Sequence, residues 1–216
     1  MKGPAVQRGR PESEMRDMAN DFKNICSRTA GEKGGGGFGT GASILKLSVS
    51  RDYDSLVELF IRNGLEFSAE EEVPTEVIKC WRAEERPAED GKTGGRDRGQ
   101  DTEASGALIG GCVLALREEE FIIDGIAVEP GYRSLKLGRD LLRMAAKEAG
   151  KRGGKRLFLV AKTPQFFRKY GFVTIASEEG PNFFECFTCP QYKRECFPEV
   201  MRLDLDDGGT YLMNDE

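Results

Sequence analysis

The sequence predicts a mixed α/β (α+β) domain built on a mostly antiparallel central sheet of about six to seven strands flanked by helices. Three observations carry this prediction. Short apolar segments of strand character recur along the chain, two longer segments place apolar residues at helical spacing, and one of those helices follows a strand across a turn containing proline and glycine. The order read from them is β-α-β-β-β-α-β-α-β-β.

The first strand is ILKLSVS from Ile44, where Leu45, Leu47 and Val49 alternate with Ile44, Lys46 and Ser48. Asp52 or Asp54 caps the following helix, whose apolar positions are Leu56, Val57, Phe60 and Ile61, and Gly64 stops it. EVIKCWRAEE (Glu76 to Glu85) reads as the second strand, and ALIGGCVLALR with EEFIIDGIAV as an antiparallel pair. The long helix after the loop that follows Glu129-Pro130-Gly131 carries Leu137, Leu141, Leu142, Met144, Ala145 and Ala146 on one broad face. It ends at Lys151-Arg152-Gly153-Gly154, positive charge followed by glycine, as the helix dipole favours. KRLFLVAK is a buried strand, and TPQFFRKYGF a short helix with Pro164 in its first turn and Gly171 past its end. FVTIAS and EVMRLDLD complete the sheet.

Residues 1–42 read as a flexible glycine-rich tail, 43–206 as the folded domain and 207–216 as a second tail. Within the domain, 85–106 reads as a charged, mobile insertion between two strands, and 185–198 as a cysteine-containing loop. The GxGxxG match from Gly34 to Gly39 has no strand before it, so it is assigned to glycine-rich low complexity.

With 216 residues, a net charge of −5 and a pI near 5.2, the chain suits one domain, and its acidity argues against nucleic acid as a partner. No apolar run reaches the roughly 20 residues that a membrane span needs. The N-terminus lacks the apolar core of a secretory signal, so the expected location is cytoplasmic. Histidine is absent, which removes Ser-His and Cys-His dyads and histidine metal ligands together. Cys26, Cys80, Cys112, Cys186, Cys189 and Cys196 are expected as free thiols or metal ligands rather than disulfides in a cytosolic chain. Cys186, Cys189 and Cys196 make a C-x2-C-x6-C pattern, half of a zinc knuckle. With no histidine to complete four ligands, no metal is assigned; a structural zinc is the alternative, and a lid over an acceptor site is another use of the segment.

The densest signal is IAVEPGYRSLKLGRDLL, from Ile126 to Leu142. A strand breaks at Glu129-Pro130-Gly131, and a helix opens with Arg133, Lys136 and Arg139 nearby. Unpaired N–H groups, the helix dipole and the basic residues together favour a phosphate or pyrophosphate. This block, with PQFFRKYGF (Pro164 to Phe172), resembles the GNAT superfamily of N-acetyltransferases over about residues 44–206.

The resemblance implies acetyl-CoA as co-substrate. It places the pyrophosphate on the loop Arg133, Ser134, Leu135, Lys136, Leu137, Gly138 and Arg139, and the pantetheine arm on the open strand edge at Ile126, Ala127 and Val128. Lys136 stands where the family's loop usually has its first glycine, a cost in backbone freedom if that site needs positive φ. The family's usual glutamate position is Ile122, and Asp124, two residues on along the strand, is the choice for base or water-orienting group. The other role open to Asp124 is structural, as a carboxylate hydrogen-bonded to a neighbouring strand. Phe167, which the resemblance also counts among the cofactor-binding residues, stands where the family has its acidic tyrosine, which leaves Tyr170 as the candidate acid, with core packing as its other role. The Val128 amide is the implied oxyanion donor.

The Phe-Phe-x-x-x-Gly-Phe form and IGGCVLAL are similar to the acetyltransferase domains that make N-acetylglutamate. That similarity implies a small amine acceptor such as glutamate, with Arg82, Lys162 or Arg168 for its carboxylates. Acetylation of a protein lysine or N-terminus is the alternative activity, and a non-catalytic acyl-CoA sensor the alternative class. A monomer or homodimer is expected, with no membrane partner.

Overall fold

The computed structural model describes residues 27–30, 43–65, 73–87 and 106–205. Their strands are β1 (Ser27–Ala30), β2 (Ser43–Ser50), β3 (Thr75–Pro87), β4 (Ala107–Arg117), β5 (Glu120–Val128), β6 (Arg156–Ala161), β7 (Val173–Thr174) and β8 (Glu199–Asp204). They form a single sheet in the order β1-β2-β3-β4-β5-β6-β8-β7. Every pairing is antiparallel except β5 with β6.

The helices are α1 (Tyr53–Arg62), α2 (Leu137–Lys151), α3 (Pro164–Arg168) and α4 (Phe184–Thr188), with a 3-10 turn over Pro130–Leu135. Asp52, of the two candidate caps, accepts from the Ser55 amide at 3.1 Å and starts α1. α2 buries Leu137, Leu141, Leu142, Ala145, Ala146 and Ala149. These pack with Trp81, Leu114, Ile123, Leu157, Leu159 and Met201 in the main core. α1 covers the opposite face of the sheet, with Leu56, Leu59 and Phe60 against Cys80, Val113 and Ala127.

Three differences from the sequence reading concern elements. Ser27–Ala30, inside the expected tail, pairs with β2, while the rest of residues 1–42 lies outside the described residues. β3 runs on to Pro87, so the expected insertion begins inside a strand; residues 88–105 lie outside the described residues, as do 206–216. The cysteine segment is not all loop, since α4 occupies Phe184–Thr188. Among the described residues no helix is long and apolar enough to cross a membrane.

Candidate active site

β5 and β6 pair only at Phe121↔Leu157 and Ile122↔Phe158. Beyond that point each strand stays bonded to its other neighbour, β5 to β4 as far as Val128 and β6 to β8 as far as Ala161. The two strands therefore diverge, and a cavity of about 500 Å³ opens between them. Its walls are β5 from Ile123 to Val128, Leu159 and Val160 of β6, the start of α2, and α3 with the residues after it.

The hydrogen-bond parity of β5 fixes what the gap sees. The Glu129 amide donates to the Ile109 carbonyl at 2.8 Å, in step with the pairing of Ala127 and Gly111. In an antiparallel ladder alternate residues turn their backbone groups to opposite sides. The N–H and C=O of Ile126 and Val128 thus face away from β4, toward the gap, whereas those of Ala127 are spent on the sheet. Of the three residues expected to offer backbone contacts, Ile126 and Val128 can, and Ala127 only lines the wall. The Val128 carbonyl already accepts from Arg133 Nε at 3.0 Å, which leaves its N–H as the group available to an incoming oxygen.

Lys136 is the residue before α2, with φ 60° and ψ 14°, and no side chain caps the helix. The left-handed geometry turns the chain so that the first amides of α2 meet the cavity, and those amides have no acceptor within the helix. Arg133, Lys136, Gly138 and Arg139 line the cavity, whereas Ser134 and Leu135 do not, and Leu137 is buried in the core at 2% exposure. Lys162 and Lys169 add two cations to the lining against one carboxylate, Asp124. This basic mouth on an open strand edge fits a polyphosphate carrying an amide-bearing arm. Arg133 Nη2 also reaches Asn63 Oδ1 at 3.3 Å, and the Tyr132 hydroxyl donates to Glu85, so the loop is tied to both α1 and β3. That bond, with burial and the neighbouring carboxylates, pushes the Tyr132 phenol up to about 12. Gly138 gives Phe166 its space: a Cβ there would lie 3.2 Å from Phe166 Cζ.

Asp124 sits at a β-bulge. Gly125 pairs with Val113 and Ile123 with Leu114, so Asp124 is the extra residue. Both Asp124 and Gly125 consequently meet α1. Tyr53 donates its hydroxyl to Asp124 Oδ2 at 3.2 Å, and a Cβ on Gly125 would lie 2.5 Å from Phe60 Cε2. Arg117 Nη2 stands 3.8 Å from Asp124 Oδ1. Burial, then the charge of Asp124, pushes the nearby Cys80 thiol up to about 11, which keeps it protonated and unreactive.

Phe167 lines the cavity but is 6% exposed, packed edge-on against Phe166 and Phe172. Tyr170 lines the cavity as well, edge-on to Phe166 at 5.1 Å. Of the cations expected to serve an acceptor carboxylate, only Lys162 lines the cavity, where it donates to the Gly64 carbonyl at 2.9 Å. Arg82 is engaged by Glu84 at 2.8 Å and Arg168 by Glu199, so both are held away from it. Cys186, Cys189 and Cys196 are partly buried and joined in no disulfide, and no metal-binding group of His, Cys, Asp and Glu gathers among the described residues.

Sequence reasoning missed Tyr53, Asn63, Arg117 and Phe166. The available signal was Gly125 inside an otherwise apolar strand, which marks a bulge or a close approach.

Residues 100–174, which include β4, β5, α2, β6 and α3, match the family model of an acetyltransferase (GNAT) domain. No curated protein matches the chain. Among solved structures, a GNAT-family acetyltransferase from Staphylococcus aureus Mu50 aligns at 14% identity and a TM-score of 0.47, over 74% of this chain and 98% of that one. The N-acetylglutamate synthase of Neisseria gonorrhoeae, in complex with coenzyme A and N-acetyl-glutamate, aligns at 20% identity and 0.47, over 73% of this chain and 35% of that one. The ribosomal-protein-S18-alanine N-acetyltransferase of Escherichia coli aligns at 15% identity and 0.45, over 74% and 93%.

Proposed function

We propose, from the match of residues 100–174 to the model of an acetyltransferase (GNAT) domain, that the chain moves the acetyl group of acetyl-CoA onto the primary amine of a small molecule, an amino acid in the leading case. The observation that carries this reading is the divergence of β5 and β6. It opens a cavity with a cationic mouth and with one carboxylate, Asp124, on its wall.

Acetyl-CoA supplies an activated thioester carbonyl. Arg133, Lys136, Arg139 and the first amides of α2 hold the anionic end, and Ile126 and Val128 offer backbone groups to the arm. The amine nitrogen forms the C–N bond as the C–S bond breaks, so one proton must leave the nitrogen and one can join the sulfur. Asp124 takes the first, directly or through one water. The Val128 N–H stabilises the carbonyl oxygen as it gains charge. Tyr170 is the phenol on the cavity wall that can return a proton to the thiolate, but a thiol with a pKa near about 8.5 leaves without strong help. Lys162 is the cation for an acceptor carboxylate.

The test is calorimetry with acetyl-CoA, free CoA as comparator and Gly138→Trp as control, followed by an acetyl-transfer screen on L-glutamate, spermidine and an alanine-initiated peptide. Expected are binding that the indole abolishes and turnover of a small amine, with kcat/KM reduced at least about 100-fold in Asp124→Asn. Tyr170→Phe is expected to cost less than about tenfold. A well-folded protein that binds no acetyl-CoA, or turnover confined to the peptide, refutes the reading.

A further inference from the structure

Arg117 is a side chain that the proposed chemistry does not use. It lies at the end of β4 with 2% exposure. Its Nε donates to Thr75 Oγ1 at 2.8 Å, its Nη1 to the Asn182 carbonyl at 2.9 Å, and its plane lies 5.8 Å from the Phe183 ring centre. Two bonds and a ring fix the guanidinium before Asp124 is considered. Its remaining nitrogen, Nη2, then stands 3.8 Å from Asp124 Oδ1, while Oδ2 accepts from the Tyr53 hydroxyl. Each oxygen of the carboxylate has its own partner, and the partners come from different elements, β4 and α1.

Burying a guanidinium at a sheet face is costly and a buried ion pair gains back little of what desolvation takes, so stability alone does not account for Arg117. A carboxylate on a bulge, for its part, has no ladder neighbour to fix its direction. Those two observations explain each other. Resting on the reading of Asp124 as the proton acceptor, we infer that Arg117 and Tyr53 are positioning residues. Arg117 keeps the carboxylate charged and Tyr53 aims it, so that Asp124 is an ionised base before the amine arrives. A base pulled down in this way accepts a proton less avidly, and the arrangement therefore favours an acceptor amine that enters already partly neutral or hands its proton to a water held by Asp124.

The other groups around Asp124 do not compete for this role. From β3, Cys80 is protonated and contributes no charge. Lys162 and Lys169 line the same cavity from the β6 end and from the residue after α3, and both reinforce the anionic form. No second carboxylate lines the cavity among the described residues.

The test uses the full chain labelled with carboxyl-13C aspartate. The Asp124 resonance is assigned by its loss in Asp124→Asn and followed from pH 2 to 8 in wild type, Tyr53→Phe, Arg117→Lys and Arg117→Met. An opposite charge within about 4–6 Å lowers a carboxyl by roughly 1–3 pH units, so the Asp124 midpoint is expected to rise by about one unit or more in Arg117→Met. It should rise by a smaller step in Tyr53→Phe and stay near wild type in Arg117→Lys. In the same proteins, kcat for whichever of glutamate, spermidine or the alanine peptide is acetylated should fall about tenfold in Tyr53→Phe, with the KM for acetyl-CoA unchanged. Tyr53→Phe removes one oxygen from a half-buried ring and keeps the test usable if Arg117→Met does not fold. An Asp124 midpoint that stays at the wild-type value in both Tyr53→Phe and Arg117→Met, or in Tyr53→Phe alone if Arg117→Met does not fold, overturns the inference. Full activity in Asp124→Asn, with the midpoints shifted as expected, instead removes the base role and leaves the clamp standing.

Discussion

Lys136 is the residue where backbone strain and ligand charge can be separated. Its φ of 60° and ψ of 14° lie in the left-handed region, which costs an L-residue roughly 1–2 kcal/mol. Glycine removes that cost but gives up about 0.5–1 kcal/mol through the freedom it adds to the unfolded chain. Lys136→Gly should therefore be more stable by about 0.5–1 kcal/mol. A change of about 1 kcal/mol moves Tm by roughly 2–4 °C in a protein of this size. Lys136→Ala keeps the strain and should match wild type. The charge acts separately. Lys136 is exposed, so its ammonium is worth the roughly 0.2–1 kcal/mol of a solvated pair, or about 1.4- to fivefold in Kd for acetyl-CoA.

Both variants should bind more weakly than wild type at low salt, by the same factor. The difference should vanish near 1 M salt, where the screening length is about 3 Å. Urea melts of the three proteins and calorimetry at two salt concentrations measure all of this. If Lys136→Gly is no more stable than Lys136→Ala, the left-handed turn is not the geometry of the loop. If binding is unchanged at low salt, the ammonium does not serve the anion.

Two further predictions concern the frame that holds the cavity. Gly125→Ala would set a Cβ 2.5 Å from Phe60 Cε2, and Phe60 is fully buried, so overpacking should cost about 1–3 kcal/mol in a urea melt. Glu148 of α2 meets Lys79 of β3 at 3.0 Å and Arg152 at 2.8 Å. Burial raises its carboxyl, and the hydrogen bonds from Arg152 and Lys79 outweigh that and hold it below the ordinary 4.5. A carboxyl lowered in the folded state stabilises the protein above its unfolded pKa, and that contribution is lost as the pH falls through the lowered value. Glu148→Gln should thus cost about 1–2 kcal/mol at pH 7 and progressively less below about pH 4.5, where wild type itself takes up the proton. A gap that stays constant down to pH 3 counts against the ion pair.

The fold was legible wherever the chain supplies its own periodicity. α2 shows its buried stripe in Leu137, Leu141, Leu142, Ala145 and Ala146, and β4 shows its central position as an apolar run. β1 was harder, because four residues carry no pattern, and an edge strand is specified by the neighbour that accepts it, while the strand read at FVTIAS keeps only Val173 and Thr174 in the ladder. The loop at Arg133–Arg139 was legible as a basic turn that opens a helix because its information is local: a turn, cations and a helix start lie within a dozen positions. The left-handed Lys136 was legible only as a question. A sequence shows that a glycine is missing but not whether φ is positive there.

Asp124 shows where local information stops. The residue could be singled out in the sequence, but its partners come from afar. Tyr53 is 71 positions away, and Arg117 is held by Thr75 and Asn182, 42 and 65 positions from it. Strict alternation also assigns Gly125 to the opposite face from Asp124, and the bulge cancels that. It lets two successive residues face α1, one a carboxylate that takes the Tyr53 hydroxyl and the other a glycine with no side chain to strike Phe60. The same irregularity that breaks the ladder frees Asp124 from pairing, so the strand gives up one regular bond where it gains a directed carboxylate. Gly125 is the trace of that exchange in the sequence, and asking why a glycine sits in a buried strand leads to Phe60, to α1 and then to Tyr53.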